Sequence, residues 1–140
     1  MDALVVWHKE LAFTGSADSG YQIPLGTLNE AGKEHHGASP LELVLIGLAG
    51  CTASDVISIL EKKRQMVTAF QVHAHAGRAE EHPKVFTHVV LEYVITGHQL
   101  ERAAAERAVE LSTTKYCSAF NMLNKAMTIE TAIKLIEADK

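Results

Sequence analysis

The sequence predicts an α+β fold, and three observations carry that prediction. Strand-like segments open the chain. One long apolar helix follows them, announced by a serine and a proline. A period-two pattern, a block of helices and a last strand complete it. Strand and helix blocks that are segregated point to α+β and away from a βαβ repeat. The chain has 140 residues, 47% hydrophobic and 21% charged, which suits one globular domain over 1–140 with a single core.

The first strand is expected in "ALVVWHKELAF" (Ala3 to Phe13), rich in β-branched and aromatic residues. "TGSADSG" (Thr14 to Gly20) is dense in turn formers. "YQIPLG" (Tyr21 to Gly26) reads as a second strand, with Pro24 placing it at an edge or an end. A polar loop from Asn29 to Pro40 holds the adjacent His35 and His36. Solvated loop histidines are the simpler reading of that pair; a cation or base beside a thiol is the other.

Ser39-Pro40 opens the long helix. Serine is a good N-cap and proline is favoured at the first helical position. Glu42 falls at the third helical position and completes a capping-box pattern. The helix is expected to run to about Lys63, and Lys62, Lys63 and Arg64 read as its basic end, not as an anion site. Its apolar run, Leu43 to Ala53, is about half of the roughly 20 residues that a bilayer span needs, so a buried helix and no membrane are expected. The opening Met1-Asp2 lacks the basic lead of a signal peptide.

"MVTAFQVHAHAGRAE" alternates with period two, with Val67, Ala69, Gln71, His73 and His75 on one face. His73 and His75 read as a half-exposed strand face and not as a metal site. "VFTHVVLEYVITG" (Val85 to Gly97) is the partner strand, and the two form an antiparallel hairpin about the turn at "EEHPK". "QLERAAAERAVELSTTKY" (Gln99 to Tyr116) is an amphipathic helix, and "CSAFNMLNKA" a short helix beginning at Cys117. "MTIETAIKLIE" is tilted by its β-branched content towards a final strand.

Thirteen basic and seventeen acidic residues give a net charge of −4. No basic face is apparent, so nucleic acid is not an expected partner. Two cysteines are too few for a disulfide scaffold or a structural zinc site, and a reduced, cytoplasmic setting is expected. Cys51 and Cys117 lie 66 positions apart, a spacing that fits no metal motif. One reading of them is two core thiols. The other is chemistry: Cys51 sits among the small residues Ala49, Gly50, Thr52 and Ala53. Cys117 stands at a helix start with Lys115 close in sequence, where a thiolate is stabilised.

"SPLELVLIGLAGC", followed at that spacing by "KYCSAFNML" with a strand hairpin between, resembles the OsmC/Ohr family of osmotically inducible and organic hydroperoxide resistance proteins, a stress-response group. The resemblance covers nearly the whole chain and is closest to the YhfA-like branch. It implies a long central helix packed against curved antiparallel sheets in an intertwined homodimer. It also implies a thiol peroxidase with no resident cofactor or metal. Cys51 would attack a small hydrophobic organic hydroperoxide and become a sulfenic acid. Cys117 would resolve it, and an external dithiol reductant would restore both thiols.

The chain departs from the family pattern at two places. Active members carry a glutamate ten residues before the first cysteine, where this chain has Leu41, and an N-terminal arginine, whereas none precedes Arg64 here. Glu42 is nine residues from Cys51, which on one straight helix is the opposite face and about 13 Å along the axis. Asp55, four residues on, shares the face of Cys51, yet a carboxylate alone beside a thiol raises its pKa. The alternative to an enzyme is therefore a non-catalytic dimer on the same fold, binding a hydrophobic ligand or sensing redox state.

Overall fold

A computed structural model describes residues 1–26 and 36–139. The chain divides into two compact units, Met1–Val44 and Leu45–Lys140. The mixed α+β class is as expected.

The first unit holds an antiparallel sheet of three strands in the order β1 (Ala3–Lys9), β2 (Ala12–Ala17), β3 (Gln22–Gly26). Where the sequence suggested one strand over Ala3–Phe13, there is a tight hairpin. Glu10 takes a φ of 48° at the reversal, and the Trp7 indole N–H donates to the Glu10 carbonyl at 2.9 Å. The turn expected over Thr14–Gly20 is correspondingly shorter. Thr14 to Ala17 belong to β2, and the chain reverses at Asp18–Gly20, with Gly20 at a φ of 83°. Pro24 lies in β3, an edge strand of this sheet, where a missing N–H costs nothing.

The long helix α1 spans Pro40–Lys62. Its start is the expected cap: the Glu42 N–H donates to Ser39 Oγ at 3.3 Å. By length and composition alone α1 would pass as a bilayer-crossing helix. Where the sequence suggested a buried helix, only 22% of its apolar window is buried, and Ile46 is exposed. Leu48, Thr52, Val56 and Leu60 recur at i+4 as one buried stripe.

The second unit's sheet has the order β4 (Met66–Arg78), β5 (Phe86–His98), β6 (Thr128–Glu137). β4 and β5 form the expected antiparallel hairpin, with His73 opposite Glu92 and Val72 opposite Tyr93. β6 runs parallel to β5, so this sheet is mixed and not purely antiparallel. A parallel neighbour needs a long crossover, and it is supplied by α2 (Arg102–Leu111), a π-helical turn (Ser112–Tyr116) and α3 (Ser118–Leu123). The core lies along the central strand β5, where Val89, Leu91, Tyr93 and Ile95 are fully buried, joined by Ala104, Ala105, Ala108 and Val109 of α2.

Candidate active site

Both cysteines lie in the second unit, and both are free thiols. Cys51 is half-buried on α1; Cys117 is wholly buried. Cys117 is the N-cap of α3: its backbone is extended, and its sulfur accepts the Phe120 N–H at 3.3 Å. Asn121 fixes the same residue through two bonds to the Cys117 carbonyl, from its backbone N–H at 3.0 Å and its side-chain amide at 2.8 Å.

The two thiols are brought together. Burial pushes the Cys117 thiol up to about 11, and the Cys51 side chain and the Asp55 carboxylate add to that shift. The Phe120 N–H acts in the opposite sense and is outweighed. This corrects the expectation of a stabilised thiolate at the start of α3. Lys115 does not serve Cys117: its ammonium lies over the Tyr116 ring, 5.1 Å from the centroid. Among the described residues no cation figures in the surroundings that shift this thiol.

Beside the thiols runs a buried chain of hydroxyls. Tyr93 Oη and Thr52 Oγ1 are 2.7 Å apart, and Thr52 Oγ1 and Ser112 Oγ 2.8 Å. Ser112 Oγ then donates to Asp55 Oδ2 at 2.9 Å. A carboxylate oxygen only accepts, so the direction is fixed from that end. Ser112 spends its one proton on Asp55 and accepts from Thr52, which accepts from Tyr93. The phenol must therefore stay protonated, and burial pushes Tyr93 up to about 12.

Glu42 and Leu41 belong to the first unit. His35 lies outside the described residues. His36 Nε2 stands 3.3 Å from Glu10 Oε2 without hydrogen-bonding geometry, and among the described residues it has no hydrogen-bond partner. His73 bonds Gln71 at 2.9 Å and stacks with His75 at 6.3 Å between centroids. Among the described residues no three His, Cys, Asp or Glu side chains cluster as a metal site. Lys62, Lys63 and Asp55 edge an open cleft of about 520 Å³ along α1, with Ile59, Leu111 and Tyr116.

Sequence reasoning missed Thr52, Tyr93 and Ser112. One signal was available: Thr52 is the polar member of the otherwise apolar series Leu48, Val56, Leu60. Its partners are 41 and 60 positions away, and no local pattern names them.

The chain as a whole is similar to known proteins. A family model described as OsmC-like protein matches residues 32–132. The chain is 42% identical to Protein YhfA of Escherichia coli (strain K12), over 99% of this chain and all of that one. A crystal structure of a hypothetical protein from Aquifex aeolicus VF5 is 29% identical, with a TM-score of 0.87, covering 99% of this chain and 97% of that one. An organic hydroperoxide resistance protein OsmC from Legionella pneumophila shares the fold at 19% identity, with a TM-score of 0.70 and 95% of each chain covered.

Proposed function

The chain belongs to the OsmC-like protein family, and from that premise we propose a thiol-dependent peroxidase acting on small hydrophobic organic hydroperoxides. The observation that carries this reading is the pairing of two free thiols with unequal access. The half-buried Cys51 is the attacking thiol and the buried Cys117 the resolving one. Relatives that share the fold and are described as organic hydroperoxide resistance proteins support the substrate class.

The reaction follows thiol chemistry. The Cys51 thiolate attacks one oxygen of the hydroperoxide. The S–O bond forms as the O–O bond breaks, and the leaving alkoxide takes a proton to become an alcohol. Cys117 sulfur then attacks the sulfenic sulfur of Cys51. The S–S bond forms, and hydroxide leaves with the Cys117 proton as water. An external dithiol returns two electrons and two protons. The family's acid and arginine are absent from the sequence positions where active members hold them, so turnover slower than in those members is expected. Incubation with cumene hydroperoxide and a dithiol is expected to consume the hydroperoxide, and Cys51→Ser to abolish consumption. Equal consumption by wild type and Cys51→Ser would overturn the proposal.

The working form we propose is a homodimer in the cytoplasm, where a reducing compartment suits two unpaired thiols. The exposed apolar side chains of the first unit, Leu4, Val5, Trp7 and Ile23 among them, support a partner subunit. One observation favours the second reading, a dimer that binds a hydrophobic ligand. The first unit has an almost wholly apolar groove of about 310 Å³ between Val5, Leu11, Phe13, Leu25 and Pro40. Native mass spectrometry separates the two: a co-purifying apolar ligand with no hydroperoxide turnover selects the binder.

A further inference from the structure

Ser112 is the first residue of the π-helical turn and is fully buried. It touches both thiol-bearing segments. Its hydroxyl bonds Thr52 and Asp55, the residues one and four positions after Cys51 on α1. Its carbonyl accepts the Cys117 N–H at 2.8 Å, the bond that closes the π-turn. Tyr93 holds Thr52 from β5 on the other side. A π-turn adds one residue to a helical turn and is seldom kept without a local use. Here it ends with Cys117 at the cap of α3.

We infer that Ser112 is a positioning residue, which holds the resolving thiol Cys117 in register with Cys51 through the Tyr93–Thr52–Ser112–Asp55 chain. The inference deepens the peroxidase reading and rests on it for the roles of the thiols. The juxtaposition can be tested without any hydroperoxide. Alanine at 112 fits the space of serine and keeps the carbonyl, but it breaks both side-chain bonds to α1. The turn is then free to shift against the helix, and the two sulfurs meet less often.

The full chain is equilibrated with reduced and oxidised dithiothreitol. The two thiols lose two hydrogens as the S–S bond forms, and oxidised dithiothreitol takes them up. Ser112→Ala is expected to lower the equilibrium constant for closing the Cys51–Cys117 disulfide about tenfold, the order expected when its two side-chain bonds to α1 are lost, or about 30 mV in potential. Asp55→Ala is expected to move it in the same direction. Asp55→Asn keeps an acceptor for the Ser112 hydroxyl and is expected to stay close to wild type. A merely structural role would lower thermal stability without that ordering of potentials. If Ser112→Ala does not fold, Asp55→Ala against Asp55→Asn decides. Wild-type potentials for every folded variant overturn the inference. The two readings fail separately: a wild type that consumes no hydroperoxide but shows the ordered shifts loses the peroxidase and keeps the positioning role.

Discussion

At the scale of single residues, the two cysteines share a side chain and differ in surroundings. Cys117 has no contact with water, and burial moves its pKa from an ordinary 9.0 to about 11. The neutral thiol is the form the fold prefers. Below pH 9 both the folded and the unfolded chain hold this proton, and the contribution to stability is fully present. Between about 9 and 11 the unfolded chain releases it first, so stability falls as pH rises through that window. The whole effect is at most roughly 2–3 kcal/mol. Urea unfolding of the reduced protein between pH 8 and about 10.5 is expected to show this decline. Cys117→Ala is expected to lose stability overall and to show a shallower decline across the same window. Tyr93, pushed up to about 12, adds a similar but later fall that both proteins share. Parallel pH profiles would show that Cys117 titrates as an ordinary thiol. In the peroxidase we propose, the same burial divides the labour between the sulfurs, because a thiol held protonated is a poor first nucleophile. Cys117 would act only once Cys51 presents an electrophilic sulfenic sulfur to it.

At the scale of elements, what could be read from the sequence depended on how local the cause was. The start of α1 was readable because Ser39, Pro40 and Glu42 lie within four residues, and the bond from the Glu42 N–H to Ser39 Oγ bears out the serine cap. The β4–β5 hairpin was readable because alternation is a property of a single strand. The β1–β2 reversal was not, because Glu10 adopts a positive φ without a glycine or asparagine to signal it. The π-turn was hidden by the alanine-rich periodicity of α2, which runs into it without a break. Cys51 and Cys117 were legible from their local surroundings and a family resemblance supplied their pairing, whereas the hydroxyl chain beside them is built wholly from long-range contacts. One element-scale feature gives a further prediction. Gly97 pairs with Val67 across the hairpin, and a Cβ there would press into the Met66 carbonyl and within 2.9 Å of the Leu100 side chain. The Gly97 carbonyl also accepts the Ala138 N–H at 2.8 Å, just past β6. Gly97→Ala is expected to cost about 1–3 kcal/mol by overpacking and to lower the Tm by several degrees. Gly50→Ala, on α1 with open space around its Cα, is the control expected to hold or raise the Tm.

At the scale of the whole molecule, the first unit's sheet is the feature that a single chain leaves unexplained. Three strands make a marginal structure unless a hydrophobic face is covered. Every residue of β1 is exposed, and successive side chains of a strand point to opposite faces. Leu4 and Val6 therefore present one apolar face at 60% and 44% exposure, and Val5 and Trp7 the other at 58% and 63%. Apolar surface on this scale, left in water by a monomer, marks an interface. A second copy of the chain is the partner we propose. Sedimentation at micromolar concentration is expected to show a dimer, and a wild type that sediments only as a monomer would contradict it. The chain carries one tryptophan, Trp7, so its fluorescence reports on this sheet without a label. In the dimer its emission is expected to be that of a shielded indole, and dilution should shift it to the red as protomers part. Val5→Glu places a charge on the same face as Trp7 and is expected to shift the equilibrium towards monomer, because burying an unpaired carboxylate in an apolar interface is costly. Emission that is red at every concentration, in wild type and variant alike, would place Trp7 in water and the partner subunit elsewhere.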